Sequence, residues 1–331
     1  MLLGRSCFKI FLCSAMAMLG VACVANMAKE ERQEERNRAN TTSAEQVNNE
    51  ATNNANIGIN NAAPQATHGL MTAPSEAWLE LPAERTDGRY PHATEYKIMV
   101  DGERNYTHYY DTDSYTSLWV AYHIEAEHMG SYKRPNSWSF NPLIEQDDQV
   151  NLCSRSYNDG YARGHLIPNA SRNGNSEMQR QTFYVTNSVP QVQDGFNGGI
   201  WKSLEAAIQD IAEQQRVYIV TGVAFAKEGE NRATLYTTAK NDDKRVPIPH
   251  YFYKVVLKVD RNDSGDIIDA STIGFWFENR SYTGSYTNYT VTVDQVEAWT
   301  GFDYFANLPD DIEQRVESNA SWSAFHEFYA K

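Results

Sequence analysis

The sequence predicts an α+β domain built on a largely antiparallel sheet with flanking helices. Runs rich in aromatic and β-branched residues, typical of strands, occur at residues 118–122, 182–186, 217–220 and 251–259. Apolar residues recur at helical spacing over residues 200–214 and again near 310–318. Strand runs interspersed with amphipathic helices favour a mixed fold with one shared core.

The N-terminus predicts export. Arg5 and Lys9 precede an apolar run that extends to about Ala25, which is too short and wrongly flanked for a membrane-spanning helix, so residues 1–25 are interpreted as a signal peptide. Residues 19–23, Leu-Gly-Val-Ala-Cys, resemble a bacterial lipoprotein cleavage box that would place a lipid on Cys23, and cleavage after Ala25 is the alternative. The mature protein is expected in the bacterial envelope, in the periplasm or outside the cell, with a membrane contact only through that lipid.

The remainder divides into a linker and one domain. Residues 26–75 are rich in Asn, Ala, Glu, Thr and Gln, and almost free of aromatic and branched residues, so they cannot bury enough surface to offset chain entropy. Residues 76–331 carry aromatic and branched residues throughout and are predicted to form a single domain.

Charge and cysteine content exclude two classes of protein. The 29 basic and 43 acidic residues give a net charge of −14, which excludes binding of nucleic acid through a broad basic surface. Of the four cysteines, Cys7 and Cys13 leave with the signal and Cys153 is the one certain to remain in the folded part, so a disulfide-built scaffold is excluded as well. Any nucleic-acid chemistry must be local.

Residues 161–172, Tyr-Ala-Arg-Gly-His-Leu-Ile-Pro-Asn-Ala-Ser-Arg, contain the first catalytic motif. Side chains two apart on an extended segment lie on the same side, so Arg163 and His165 are expected to lie together. This would place a phosphate-binding cation beside a proton acceptor.

A second motif lies at the start of the helix predicted over residues 200–214. Asn197 precedes Trp201 and Glu205 at i+4 and i+8, about 80° of rotation in a regular helix, so one face would present an amide oxygen and a carboxylate to one point. Such oxygens suit Mg²⁺. Hydrolysis of a phosphodiester needs an activated water, a cation and a donor near the leaving oxygen.

These motifs resemble the hallmark of the DNA/RNA non-specific endonucleases, which have the ββα-metal (His-Me finger) fold. That hallmark is Asp-Arg-Gly-His followed, some thirty residues on, by an Asn before a Trp-x-x-Leu-Glu helix. Segments that resemble the family's framework extend the similarity over roughly residues 95–316; they include residues 119–122, 220–222, 246–247, 253–254, 296–297 and 300–302.

The resemblance implies a role for each site residue. His165 corresponds to the general base, Asn197 to the direct metal ligand, Arg163 to the arginine beside the scissile phosphate, and Glu205 to the carboxylate that holds the metal's water shell. Two more are implied: Asn187 as a site asparagine and Arg134 as an upstream phosphate-stabilising arginine, although the spacing from Arg134 to Trp138 differs from the family pattern.

The activity implied is hydrolysis of DNA and RNA with Mg²⁺, or Mn²⁺, to products with a 5′-phosphate and a 3′-hydroxyl. The chain departs from the family at Ala162, where the hallmark has Asp, and at Phe183, where some members have a further Asn. Since residue 162 would face away from His165, its change is expected to affect structural support more than chemistry.

Two other functions remain open from the sequence. A related phosphodiesterase or pyrophosphatase acting on nucleotides fits the acidic balance, and a catalytically inactive surface lipoprotein would use the fold for binding. Residues 151–205 carry five basic and four acidic residues, with Arg dominant, which favours a small arginine-lined patch and salt-sensitive substrate binding.

Overall fold

The computed structural model describes residues 78–329 except residue 136. Among them, eleven strands and five α-helices form a mixed α+β architecture, as the sequence predicts. Seven strands make one antiparallel sheet in the order β1-β2-β3-β6-β9-β10-β11, and the other four form two two-stranded ribbons, β4-β5 and β7-β8. The strands are β1 Ala93–Val100, β2 Glu103–Asp111, β3 Thr116–Ile124, β4 Ala162–His165, β5 Ser188–Gln191, β6 Val217–Ala224, β7 Leu235–Thr238, β8 Arg245–Ile248, β9 Tyr251–Arg261, β10 Ile267–Glu278 and β11 Thr290–Val291.

The helices are short and most have a polar cap. Asn175, Thr292 and Ser321 each accept a backbone N–H of the first turn, which satisfies donors that the helix itself leaves unpaired. The helices are α1 Ser176–Gln181, α2 Lys202–Ala212, α3 Val293–Thr300, α4 Asp310–Val316 and α5 Trp322–Glu327.

The large sheet is covered on both faces because its strands alternate apolar side chains between two cores. One core contains Val120, Tyr122 and Ile219 together with the buried residues of α2, and Phe325 of α5 joins it. The other core contains the intervening Trp119, Ala121 and Val220 with the apolar residues of α3 and α4. The two faces therefore carry different helices: α2 and α5 lie on one, α3 and α4 on the other.

Most of the predicted elements are confirmed, and one is wrong. Residues 118–122, 217–220 and 251–259 lie in β3, β6 and β9, and the predicted helices contain α2 and α4. Residues 182–186 form turns and the start of a 3₁₀ turn, with one isolated bridge from Tyr184 to Ser139. This segment directly follows the end of α1, and Phe183 and Tyr184 are buried in two different apolar clusters. The aromatic run therefore reflects burial and not sheet pairing.

A long excursion separates two neighbouring strands of the sheet. β3 pairs with β6, and the last residue of β3, Ile124, lies opposite the first residue of β6, Val217. Residues 125–216 therefore form a long insertion whose two ends are neighbours in the sheet. This excursion includes the β4-β5 ribbon and α2, and with them every candidate site residue named from the sequence.

Three sequence predictions concern the chain outside the large sheet. The signal peptide, Cys23 and the linker lie outside the described residues. Cys153 is a free thiol. Within residues 78–329, as far as they are described, no helix combines the length and apolar character that crossing a membrane requires.

Candidate active site

The β4-β5 ribbon places Arg163 and His165 side by side. β4 runs antiparallel to β5, with Arg163 opposite Pro190 and His165 opposite Ser188. The alternation of a strand turns both side chains to the same side, and both contact the indole ring of Trp138. The predicted pairing of a cation with a proton acceptor is therefore present.

The imidazole of His165 lies between two aromatic rings. Its centroid is 4.7 Å from that of Trp138 and 5.0 Å from that of Phe183, which meets it edge to face. One ring nitrogen bonds the backbone of Arg163, while Nε2 is shielded from solvent and has no hydrogen-bond partner among the described residues. A ring held through Nδ1 in this way offers Nε2 as a free acceptor.

The charge state of His165 suits that acceptor. Burial, with the positive charges of Arg134 and Arg163, lowers the pKa of His165 to about 3, so the imidazole is neutral at neutral pH. A neutral imidazole can accept a proton, whereas an imidazolium cannot.

Each of the two arginines lies against one of the aromatic rings. The guanidinium carbon of Arg163 lies 4.9 Å from the Trp138 centroid, and its Nη1 donates to the carbonyl of Leu152 at 2.8 Å. The guanidinium carbon of Arg134 lies 5.0 Å from the Phe183 centroid. Cation–π contacts of this kind hold each guanidinium while leaving donors free for phosphate.

Arg134 belongs to the same site although its sequence spacing differs from the family pattern. Its charge contributes to the lowered pKa of His165 and opposes the rise that burial causes in the pKa of Glu205. It lies in an exposed loop segment, so no local pattern could have placed it. The structure brings Arg134, Arg163, His165 and Glu205 into one electrostatic neighbourhood.

Asn197 lies on an irregular wound segment, Gln193–Trp201, that leads into α2. Its Nδ2 donates to Gln193 Oε1 at 2.8 Å, and its backbone N–H donates to the carbonyl of Val192 at 3.0 Å. The first contact holds the side chain through Nδ2, and the second holds the backbone. The amide oxygen Oδ1 is the atom that remains for a ligand.

The expected regular helical rotation from Asn197 to Glu205 is wrong. Gly199 has φ −118° and ψ −111°, which breaks the helix between them, and Gly195 has a left-handed φ of 74°. A side chain at residue 195 would collide with Ser281, so this backbone requires glycine. Helical irregularities of this kind often occur at functional sites.

Glu205 lies on α2 against a buried lysine of β9. Its Oε1 is 3.9 Å from Lys254 Nζ, which is fully buried and donates to Thr221 Oγ1 at 2.7 Å. Burial raises the pKa of Glu205, and the charges of Lys254 and Arg134 oppose that rise. Glu205 keeps a 17% exposed side chain, so an ion or water can reach it.

The donor set suits a hard divalent cation. Asn197 offers a neutral amide oxygen and Glu205 one carboxylate, and oxygen donors few in number are what Mg²⁺ and Mn²⁺ accept while keeping most of their water. The Nε2 atom of His165, which has no hydrogen-bond partner among the described residues, is free to accept a proton. The residues present therefore fit a metal-assisted hydrolytic site.

Asn187 is buried next to the segment that follows His165. It is 1% exposed, its Oδ1 accepts the N–H of Ile167 at 3.0 Å, and its Nδ2 donates to the carbonyls of Ile167 and Thr182. With its amide engaged by backbone on both sides, it holds the turn after His165. The structure gives Asn187 a positioning role and no exposed contact surface.

The local basic charge is smaller than the sequence count suggests. Arg172 is fully buried and donates to Asn105 and to the carbonyl of His123, and Arg180 pairs with Glu177. Neither offers an open charge to a substrate. Arg172 and Arg180 are thereby removed from the patch, and Arg134 and Arg163 are the arginines that contact the aromatic rings beside His165.

Two site residues were not assigned from the sequence. Trp138 forms a wall beside His165 and supports Arg163, yet a single tryptophan in a loop carries no local signal. Lys254 did give a local signal in the sequence, because a lysine within an apolar strand needs a polar partner when it is buried.

Comparison with known proteins gives matches over most of the described chain. The model of a family described as DNA/RNA non-specific endonuclease matches residues 92–311. A nuclease from Nostoc sp. is 27% identical over 259 residues, 76% of this chain and 85% of that protein. A nuclease from Serratia marcescens is 31% identical over 210 residues, 60% of this chain and 72% of that protein. A solved EndoG/EndoGI complex aligns with a TM-score of 0.49 and 19% identity over 62% of this chain and 85% of that chain.

Proposed function

The chain belongs to the DNA/RNA non-specific endonuclease family, and from this premise we propose that it cleaves DNA and RNA at one site, with His165 as general base and Asn197 as the ligand of a divalent cation. The observation that supports this most directly is the shielded, unpartnered Nε2 of His165 beside two arginines. A buried acceptor with no partner in the protein is available for a substrate proton.

His165 supplies the base. Its Nε2 takes a proton from the attacking water, the water oxygen bonds to phosphorus, and the bond from phosphorus to the 3′ oxygen breaks, leaving a 5′-phosphate and a 3′-hydroxyl once that oxygen is protonated. Its neutral state at neutral pH, which follows from the lowered pKa, keeps the lone pair available. The bond to the Arg163 backbone holds the ring in place as the charge changes.

Arg163 and Arg134 bind the phosphate. Their guanidinium groups lie against Trp138 and Phe183, and positive charge placed there offsets the negative charge that develops on the phosphate oxygens. Asn197 Oδ1 would hold the cation directly and Glu205 would hold its water shell; we propose that the cation is Mg²⁺, with Mn²⁺ as a substitute. When bound, such a cation supplies Lewis acidity next to the phosphate.

Substrate binding is proposed to be weak and strongly salt-dependent. Two arginines in a chain of net charge −14 neutralise few phosphates. We expect little binding of duplex DNA without divalent metal, so a tight metal-free complex in a gel-shift assay would contradict the proposal.

Digestion of plasmid DNA and of RNA with Mg²⁺, Mn²⁺ or a chelator tests the activity. We expect cleavage of both polymers by the wild type with either metal, none with the chelator, and a loss of about 10³-fold in His165→Ala. His92→Ala, which removes an exposed imidazole, is the matched control and keeps wild-type activity. Undiminished cleavage by His165→Ala would refute the mechanism, and a preference for a chromogenic diester over both polymers would favour a small-substrate phosphodiesterase.

We propose further that the protein is exported and, through Cys23, lipid-anchored. The support is the charged and apolar pattern of residues 1–25 and the Leu-Gly-Val-Ala-Cys run that ends at Cys23. Mass spectrometry of the mature N-terminus tests this, since a lipidated Cys23 is expected in the wild type and is lost in Cys23→Ala. An N-terminus at residue 26 would support signal cleavage without a lipid.

A further inference from the structure

A second group of oxygen ligands lies on the face of the sheet opposite the candidate active site. Asp294 and Glu297 belong to α3, and Glu317 directly follows α4. One carboxylate oxygen from each lies within 4.8 Å of the others. Both helices pack on the core away from α2 and the β4-β5 ribbon, so this cluster is separate from Asn197 and Glu205.

Glu317 makes this more than a group of acidic side chains. The residue is 6% exposed, and its Oε1 is shielded from solvent with no hydrogen-bond partner among the described residues. A buried carboxylate oxygen without a donor loses its hydration and gains nothing in return. Its position within the cluster indicates that something outside the protein completes the contact.

The backbone holds the cluster in place. The carbonyl of Glu317 accepts the N–H groups of Val293 and Asp294 at 3.0 and 3.4 Å, which ties the end of α4 to the start of α3. Glu297 Oε1 accepts the N–H of Tyr304 at 2.8 Å. The backbone at Asp294 and Glu317 is therefore tied together, and Glu297 is held through one of its carboxylate oxygens.

The charged groups that act on the Glu317 carboxyl are all negative. They are Glu297, Glu313, Asp294 and Asp303, and together with burial they hold the pKa of Glu317 well above its usual range. The contrast is Glu80, which is buried even more deeply, where Arg104 and His123 oppose the effect of burial and the pKa falls to about 2. Acidic groups therefore surround Glu317, and no cation of the described residues is among the groups that act on its carboxyl.

We propose that Asp294, Glu297 and Glu317 form a calcium-binding site that clamps α3 to the end of α4. A set of carboxylate oxygens alone suits a hard cation, and Ca²⁺ accepts six to eight oxygens, including both of one carboxylate. Ca²⁺ tolerates irregular coordination, whereas Mg²⁺ requires near-octahedral order and gives up its water reluctantly. Exposed Asp294 leaves the site open to solvent on one side.

Thermal unfolding of the metal-stripped full chain with added CaCl₂ tests the site, with MgCl₂ at matched ionic strength as the comparison. We expect Ca²⁺ at about ten times its Kd to raise the Tm by roughly 3–6 °C, and Mg²⁺ to raise it less. Glu317→Gln is expected to abolish the rise from Ca²⁺. Asp311→Asn, an exposed neighbour on α4, is the matched control and keeps the full rise.

Two further variants cover the remaining possibilities. If Glu317→Gln does not fold, Asp294→Asn at the exposed rim is expected to weaken Ca²⁺ binding at least tenfold by titration calorimetry. Asn197→Ala is expected to keep the full rise, since it alters only the candidate active site. The proposal is overturned if Ca²⁺ gives the wild type neither heat nor a Tm rise, if Asp294→Asn binds as the wild type does, or if Asn197→Ala removes the rise.

Discussion

The indole of Trp138 lies 4.7 Å from the imidazole of His165, and the same indole lies 4.9 Å from the guanidinium carbon of Arg163. One side chain from outside the β4-β5 ribbon thus contacts both the proposed base and the proposed phosphate-binding cation. Phe183 is the second ring that contacts His165, and it contacts Arg134 as Trp138 contacts Arg163. The spacing of base and cations depends on these two aromatic rings.

Trp138→Leu is expected to lower kcat by about tenfold to a hundredfold with a smaller effect on KM. The smaller side chain leaves the imidazole and Arg163 free to shift, and misplacement of about 1 Å is costly in catalysis. Steady-state cleavage of a fluorescent oligonucleotide measures it. Trp138→Phe keeps an aromatic wall and should lie near the wild type; equal losses in both variants would show that ring packing is not the cause.

The imidazole of His165 is expected not to titrate between about pH 8 and pH 5, because burial and two arginines lower its pKa to about 3. NMR of the metal-free protein measures this, with the resonance assigned from His165→Asn. In the unfolded chain the imidazole takes up a proton near pH 6.5, whereas in the folded chain it stays neutral there. The free energy of unfolding therefore decreases through His165 as the pH falls below about 6.5. A midpoint near 6.5 in the folded protein would contradict the prediction.

Lys254→Met is expected to destabilise the fold by about 2–3 kcal/mol, because it leaves the Glu205 carboxylate half-buried without its nearest cation. The double variant Lys254→Met with Glu205→Gln should cost less than the sum of the two single changes, since no unpaired charge remains. Urea unfolding of all four proteins measures the coupling. Strict additivity would mean that the two groups do not interact.

Ala162→Asp is expected to stabilise the protein by roughly 0.5–1.5 kcal/mol. Ala162 lies opposite Gln191 in the β4-β5 ribbon, and both amide atoms of buried Gln191 are without a partner among the described residues. A carboxylate at 162 would accept from the Gln191 Nε2. Thermal unfolding measures the gain, with Ala162→Leu, which adds bulk without an acceptor, as the control; a gain in both would refute the hydrogen-bond explanation.

Some of the site could be predicted from the sequence because the rules are local. Strand alternation alone places Arg163 beside His165. The apolar residues of α2 show which face of that helix packs on the core, and this determines the direction of Glu205 relative to the core. The same kind of rule predicted the strands and helices of the two cores, and it misread residues 182–186, where aromatic burial resembles a strand.

The remaining site geometry depends on contacts between distant segments. The orientation of Asn197 follows from a left-handed Gly195 against Ser281 and from the break at Gly199, and nothing local selects those glycines from their neighbours. Arg134 reaches the site from a loop, and Lys254 from a strand beyond α2. A residue pattern can indicate that buried Lys254 needs a partner, but only the packing of β9 against α2 identifies Glu205.

The excursion between β3 and β6 also affects how the protein folds. Because Ile124 and Val217 are neighbours across the sheet, residues 125–216 form a closed loop whose ends meet at a single strand pair. The entropy of closing a loop grows only slowly with its length, so a long excursion costs little more than a short one. Because this segment supplies α2 and many apolar residues of one of the two cores, a homologous segment exchanged at those two positions would have to bring the same apolar face with it.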